Sequence, residues 1–229
     1  MPAHFTPEAL KFFRGLARNN DREWFEARRD IFEREVKQPM LAIVGEINEA
    51  LAEFAPEHVR EPRKAVFRIY RDTRFAADKR PYKSHLGAWW VRQGLEKTSG
   101  AGFYFHVSAK EVTVAAGAYM PSPEQLLAIR RHIDANTDEL RAILAARNLR
   151  ALMNEWDGDA MKRIPKGFRA DSAAADLLMC RKWGVSATLP ADAAASPALV
   201  SEVVRRFRTA APLVHFLNEP LKPVRKRIL

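Results

Sequence analysis

Positively charged side chains are concentrated in residues Arg63–Lys83, which we call the basic segment. It contains eight lysines and arginines and only two carboxylates, Asp72 and Asp78, so it contributes +6 to the formal net charge of +10. Guanidinium and ammonium groups in excess of the local carboxylates suit the binding of phosphate or carboxylate groups. The basic segment therefore predicts a pocket for a phosphorylated or otherwise anionic small molecule.

The candidate ligand-binding residues all carry a hydrogen-bond donor, and they are Arg68, Arg74, Lys79, Tyr82, Lys83 and, from a later loop, Lys166. Because Arg68 stands between the apolar residues Phe67 and Ile69, its stem is expected to be buried. The candidate catalytic residues are Asp72 and Asp78, since a nearby carboxylate can act as a general base. Alternatively, the two carboxylates hold a magnesium ion for a phosphate substrate.

Two other interpretations of the same charges stay open. In the first, Asp72 and Asp78 pair with the neighbouring arginines and Lys79 in a purely structural network. In the second, the cations contact the phosphate backbone of a nucleic acid while exposed aromatic side chains stack on its bases. A further basic group is interpreted as a solvated tail, and it consists of Lys222, Arg225, Lys226 and Arg227.

Several chemistries are disfavoured by what the sequence lacks. It contains no phosphate-binding loop, no dinucleotide fingerprint and no Gly-x-Ser-x-Gly motif. Its six histidines include no pair at i, i+4, and Cys180 is the single cysteine, so neither a metal site nor a cofactor is expected. No apolar run is long enough to span a membrane. The lone cysteine and the absence of a secretory signal predict a cytoplasmic location.

Hydroxyl–proline pairs mark three helix starts, at Thr6-Pro7, Ser122-Pro123 and Ser196-Pro197. A long helix with a cap at Asn20 or Asp21 is expected to kink near Lys37-Gln38, because Pro39 lies inside its apolar pattern. The predicted helices are Pro7–Ala17, the long helix ending at Phe54, Pro123–Asn136, Asp138–Arg147, Leu149–Trp156, Asp171–Leu178 and Pro197–Leu217.

Alternating apolar residues predict strands in the middle of the chain. The predicted strands are Val66–Tyr70, Leu86–Val91, Gly102–Ser108, Val112–Ala118 and, more weakly, Cys180–Ser186. Lys110-Glu111 would join two of them as a hairpin. Together these elements predict one α+β domain over residues 1–229, with an antiparallel sheet of four to five strands packed against several helices. Trp89 and Trp90 should point to opposite faces of that sheet.

Particular residue groups give the sequence a family resemblance that covers nearly the whole chain. The groups are Phe12-Phe13, Leu16, Asn19-Asn20, Glu23-Trp24-Phe25, Pro39, Arg68–Phe75, Asp78-Lys79, Pro81-Tyr82-Lys83 and Lys162–Phe168. In these groups the chain resembles the bacterial and fungal family known as domain of unknown function 2461. The resemblance implies a single-domain cytoplasmic protein and marks the basic segment, but it supplies no reaction.

Overall fold

The computed structural model describes residues 3–95 and 99–221. Helical elements precede the sheet, and they are α1 (Pro7–Arg18), α2 (Arg22–Glu26), α3 (Arg29–Ile31), a π-helical turn (Phe32–Lys37), α4 (Gln38–Phe54), a 3₁₀ turn (Pro56–His58) and α5 (Pro62–Ala65). The Thr6 hydroxyl accepts the Ala9 N–H at 3.3 Å, which caps α1. The helix start predicted from Thr6-Pro7 is therefore confirmed.

The long helix predicted after Asn20 or Asp21 is divided into several pieces. Asp21 supplies the cap of α2, as one of the two alternatives predicted. Just before α4 the helix widens into the π-helical turn, and the Gln38 N–H bonds to the Glu33 carbonyl. Pro39 has no N–H and crowds the preceding turn, which favours such a distortion. The predicted interruption of the regular helix at this point is confirmed.

The sheet has five antiparallel strands in the order β1-β2-β3-β5-β4. Its strands are β1 (His85–Val91), β2 (Ala101–Ser108), β3 (Glu111–Ala118), β4 (Glu155–Asp157) and β5 (Trp183–Pro190). Trp89 pairs with Tyr104, Tyr104 with Ala115, and Ala115 with Ser186 across four of the strands. Paired residues share a face, so these four lie on the same side of the sheet. The predicted α+β class with an antiparallel sheet is confirmed.

Helices cover the other side of this sheet. The later helical elements are α6 (Pro123–Ala135), α7 (Thr137–Ala145), α8 (Arg147–Leu152), α9 (Ala175–Leu178), a 3₁₀ turn (Ala191–Ala195) and α10 (Leu199–Asn218). Phe207 of α10 packs on Trp90 and Phe103, with ring centroids 5.4 and 5.0 Å apart. Trp90 is fully buried there, whereas Trp89 points to the opposite face, as the strand alternation predicts.

Two predicted elements near the sheet edges are wrong. Val66–Tyr70 is not a sheet strand but makes only isolated bridges, from Val66 to Ala88 and from Tyr70 to Tyr82. Pro81 accepts a hydrogen bond from the Arg71 N–H and has no N–H to return, which interrupts any ladder there. At the other edge, the end of the predicted helix Leu149–Trp156 forms β4 instead.

Other boundaries shift by a few residues. The strand predicted to begin at Cys180 begins at Trp183, and the helix predicted over Asp171–Leu178 is limited to α9. The last helix begins at Leu199, because Ser196 uses its hydroxyl to accept the Ala198 N–H in the turn before it. The basic group from Lys222 to Arg227 lies outside the described residues.

In the described part of the chain, the helices are all too short or too polar to cross a lipid bilayer.

Candidate functional site

Both aspartates of the basic segment are engaged by arginines. Asp78 Oδ2 lies 2.6 Å from Arg71 Nη1 and 2.7 Å from Arg80 Nη2. Asp72 Oδ2 lies 2.7 Å from Arg74 Nη2. Hydrogen bonds from Arg80 and Arg71 hold the pKa of Asp78 well below its usual range, and those from Arg74 lower the pKa of Asp72. Carboxylates this acidic are weak proton acceptors near neutral pH, so this geometry gives neither aspartate the properties of a good general base.

Two lysines of this segment bind to its own backbone, whereas Lys64 pairs with the Glu61 carboxylate outside it. Lys79 Nζ donates to the Thr73 carbonyl and Lys83 Nζ to the Arg68 carbonyl, each at 3.1 Å. Arg68 itself is exposed, so the expectation that its stem is buried is wrong. Alternation along the extended backbone places Ile69 in the core and turns Arg68 outward. Much of the segment is thus an ion-paired turn on the surface.

Tyr82 is only 3% exposed and packs in the hydrophobic core of the protein. Its ring stacks on Phe25, with centroids 4.1 Å apart and an interplanar angle of 15°. Burial raises the pKa of its phenol. The Asn20 side chain bonds to both the N–H and the carbonyl of Tyr82, each at 3.0 Å. This placement fixes the basic segment to the helices and leaves little of Tyr82 for a ligand to contact.

Lys166 is not brought to the basic segment. It lines a separate cleft of about 380 Å³ together with Arg131 and Phe168. The basic segment adjoins β1 through the Val66–Ala88 bridge, whereas Lys166 follows β4 in the chain. Because β1 and β4 are the opposite edges of the sheet, the structure separates these predicted ligand-binding residues.

A better-shaped site lies on the sheet face that α10 does not cover. We call it the sheet-face cleft, and it has a volume of about 480 Å³. Its walls include Phe67, Trp89, Tyr104, His106, Tyr119 and Lys182. Its floor includes Ala115, Gly117 and Gly184, which are adjacent in β3 and β5. Large aromatic side chains around a floor of small ones create a concave surface on an otherwise flat sheet.

Two glycines show how this floor is built. Gly117 has a φ of +134°, and a Cβ there would lie 2.1 Å from the Trp183 carbonyl oxygen, so only glycine fits. Gly184 is paired with Gly117 but has room above it, because the nearest atom to an added Cβ is 3.6 Å away. A side chain at Gly184 would therefore project into open space and occupy the cleft.

Buried polar atoms without a partner occur on this face. Trp89 Nε1 and His106 Nδ1 are both shielded from solvent and make no hydrogen bond among the described residues. Leaving such a group unsatisfied costs about 1–3 kcal/mol. By contrast, Trp90 Nε1 on the core face donates to Asn48 Oδ1 at 2.9 Å. Atoms of this kind also occur elsewhere in the fold, and those on this face can bond to a ligand in the cleft.

The His106 imidazole and the Tyr104 phenol of the sheet-face cleft, and the neighbouring His85 imidazole, are neutral near pH 7. Burial lowers the pKa of His106 to about 4, and burial and then Lys83 lower the pKa of His85. Burial raises the pKa of Tyr104 to about 12. The two imidazoles lie side by side, with centroids 4.7 Å apart. Across residues 3–95 and 99–221, histidine, cysteine and acidic side chains form no group of three or more suited to a metal ion.

One lysine lines the rim of the cleft, and a second lies next to its Phe67 wall. Lys182 Nζ lies 2.7 Å from Asp157 Oδ2 and 5.0 Å from the centre of the Tyr119 ring. On the β1 side, Lys83 Nζ lies 5.0 Å from the centre of the Phe67 ring, which forms part of the wall. An anionic group at the rim would meet positive charge at either end.

The sequence was also compared with protein families, curated proteins and solved structures. The family model described as "Conserved hypothetical protein (DUF2461)" matches residues 8–216. The chain belongs to this family. The resemblance that its sequence groups indicate is thereby confirmed for DUF2461. The searches of curated proteins and of solved structures gave no match.

In this DUF2461 protein the sheet-face cleft was missed by reasoning on charge alone. Its walls carry few charges, and the residues come from strands far apart in sequence. One signal was present in β2, where Tyr104, His106 and Ser108 alternate with Phe103, Phe105 and Val107. Such alternation predicts one buried face and one face of aromatic and polar residues.

Proposed function

We propose that this protein binds a small molecule with a ring-bearing, largely apolar body and an anionic group, and that it does so in the sheet-face cleft. The observation that carries the proposal is the glycine and alanine floor beneath aromatic walls, on the one sheet face that α10 leaves uncovered. A volume of about 480 Å³ suits a metabolite of moderate size.

The walls favour a ligand with a flat apolar body. Trp89 and Tyr104 stand side by side on β1 and β2, with ring centroids 6.3 Å apart, and Phe67 lies 6.4 Å from Tyr104. Rings in this arrangement offer faces and edges against which another ring can stack. The imidazoles of His85 and His106 are uncharged near neutral pH and so do not oppose the entry of an apolar group.

The rim favours a negative charge on the same ligand. Lys83 adjoins the Phe67 wall, and Lys182 lies at the other end of the cleft. Asp157 already neutralises part of the Lys182 charge, so the anion would share that lysine at the rim rather than replace the aspartate. The anionic small molecule predicted from the basic segment is kept in this proposal, with Lys83 as its contact from that segment.

The proposed location remains the cytoplasm, where a lone cysteine such as Cys180 stays reduced.

Filling the cleft tests the proposal. Anilinonaphthalene sulfonate (ANS) has fused rings and a sulfonate, and its fluorescence rises when it enters an apolar site. Folded wild-type protein should bind ANS at one saturable site. Gly184→Leu places an isobutyl group in the cleft without a backbone clash, and it should weaken binding at least about tenfold, a loss of about 1.4 kcal/mol.

Gly45→Leu is the matched control, since a Cβ at Gly45 on α4 meets no atom within 4 Å and lies far from this sheet face in the fold. Near-ultraviolet circular dichroism of each variant establishes that the tertiary packing is retained. If Gly184→Leu, or the smaller Gly184→Ala, binds ANS as tightly as Gly45→Leu does, the ligand does not occupy the cleft and the proposal is wrong.

A further inference from the structure

Phe75 is the most solvent-exposed large apolar side chain of the described residues, at 96%. It lies within the basic segment, at the turn between Asp72 and Asp78. The Arg74 guanidinium carbon is 5.9 Å from the centre of its ring. A phenyl ring that gains nothing from burial and stands among cations does not serve the core.

The turn that carries Phe75 is held by its own cross-links. Asp72 Oδ1 accepts the Arg74 backbone N–H at 3.2 Å, and Asp78 Oδ1 accepts that of Arg80 at 3.0 Å. Lys79 Nζ bonds across the turn to the Thr73 carbonyl. Both aspartates thus shape the backbone and orient the arginines, while the Phe75 ring stands outside this network.

The ion pairs leave this surface strongly positive. One carboxylate, Asp78, serves both Arg71 and Arg80, and Asp72 serves Arg74. Lys64 of the basic segment pairs with Glu61 outside it, but residues 68–80 still hold five cations and only two carboxylates. Residues 68–80 contain four arginines whose planar groups suit phosphate oxygens and the faces of bases, and they are Arg68, Arg71, Arg74 and Arg80.

We infer that this turn, residues 68–80, is a contact surface for single-stranded nucleic acid, with Phe75 stacking on a base while Arg74 and its neighbours contact phosphates. An exposed ring flanked by cations matches the combination of stacking and backbone contact used for single strands. An anionic membrane is the weaker match, because one phenyl ring offers little apolar surface to insert. This surface is independent of the sheet-face cleft.

The test measures fluorescence anisotropy of labelled oligo(dT) and oligo(U) of about 12 nucleotides with the full chain, starting at about 50 mM salt. Wild-type protein should bind, and its affinity should fall steeply towards about 200 mM salt. Phe75→Ala should weaken binding about tenfold without changing the slope of affinity against salt. Arg74→Ala should weaken binding and reduce the magnitude of that slope by about 0.7, the value for one phosphate contact on a single strand.

Arg169→Ala is the matched control. Arg169 donates two hydrogen bonds, at 2.9 and 2.6 Å, to Asp171, which is two positions away in the chain. Arg74 donates two bonds in the same way to Asp72, at 3.0 and 2.7 Å. Arg169→Ala therefore removes the same charge as Arg74→Ala, but it should leave binding of the oligonucleotide nearly unchanged. The inference is overturned by absence of binding at low salt, by equal behaviour of Arg74→Ala and Arg169→Ala, or by binding only to phosphatidylserine vesicles. Gly184→Leu should bind the oligonucleotide normally, which separates this result from that of the cleft.

Discussion

At the scale of single residues, the environment of His106 departs clearly from that of a free side chain. Its ring lies against His85 on the open sheet face, and burial lowers its pKa from 6.5 to about 4. The Glu111 carboxylate, 3.8 Å from His106 Nε2, favours the charged imidazole, but it is partly exposed and burial has the larger effect. His106 is thus a neutral group in a site where an unperturbed histidine would be partly charged.

This pKa predicts how stability depends on pH. In the unfolded chain His106 is protonated below about pH 6.5, whereas in the folded protein it stays neutral down to about pH 4. Because the unfolded chain binds this proton more tightly, acidification between these two pH values favours unfolding. The contribution of His106 to the free energy of unfolding should fall by about 2 kcal/mol between about pH 7.5 and about pH 5. Urea unfolding at the two pH values measures this change.

His106→Asn removes the titrating group and should make the loss of stability on acidification smaller by that amount. Part of the dependence should remain, because burial also lowers the pKa values of His58 and His85. An unchanged pH dependence in His106→Asn would mean that the imidazole is hydrated in the folded protein and that this part of the cleft is open to water.

At the scale of elements, Asn20 links the helical start of the chain to the basic segment. Its amide makes two bonds to the Tyr82 backbone, so that α1, α2 and the segment around Tyr82 form one packed unit. Asn20→Ala should lower the free energy of unfolding by about 1–3 kcal/mol, because it leaves the N–H and the carbonyl of Tyr82 without these partners. The midpoint of urea unfolding measures the loss.

Asn19→Ala is the neighbouring control for this variant. The Asn19 side chain donates to the Gly15 carbonyl at the exposed end of α1, at 3.1 Å. Its removal should cost less than about 1 kcal/mol. Equal losses from the two alanine variants would show that the Asn20 bonds do not hold the basic segment in place.

Most elements were predictable from local signals, and the failures have a physical cause. Caps such as Thr6 and Ser122 fixed helix starts, and the Pro39 interruption followed from its missing N–H. Val66–Tyr70 has the apolar alternation of a strand, but it forms no continuous ladder because the segment opposite it contains Pro81, which has no N–H to donate. The three-residue β4 exists because β5 offers it an edge, and no local pattern marks such a strand.

At the scale of the whole molecule, the position of the proposed ligand site depends on which sheet face the helices cover. The sequence shows that the sheet has two different faces, but α10 decides which is buried by packing Phe207 on Trp90 and Phe103. The other face then becomes the sheet-face cleft. For the same reason Lys166 could not be assigned from sequence, since its distance from the basic segment depends on the strand order.

The fold likewise places the positively charged residues and the aromatic cleft on different parts of the surface. Much of the excess positive charge lies on the turn beside β1, whereas the sheet-face cleft is aromatic and has lysines only on its rim. In place of the single basic pocket that charge alone predicts, we propose two different surfaces. One suits a small ring-bearing anion, and the other suits a flexible polyanion.

The most direct test of the cleft as a ligand site follows its tryptophan by NMR. The chain has five tryptophans, whose indole N–H resonances separate in a two-dimensional spectrum and are assigned by single Trp→Phe variants. Titration with ANS should shift the Trp89 resonance, whereas those of Trp90 and Trp183, which donate to Asn48 and to the Leu177 carbonyl on the covered side, should stay in place. If ANS binds while Trp89 remains unmoved, the ligand lies elsewhere and the proposed function is contradicted.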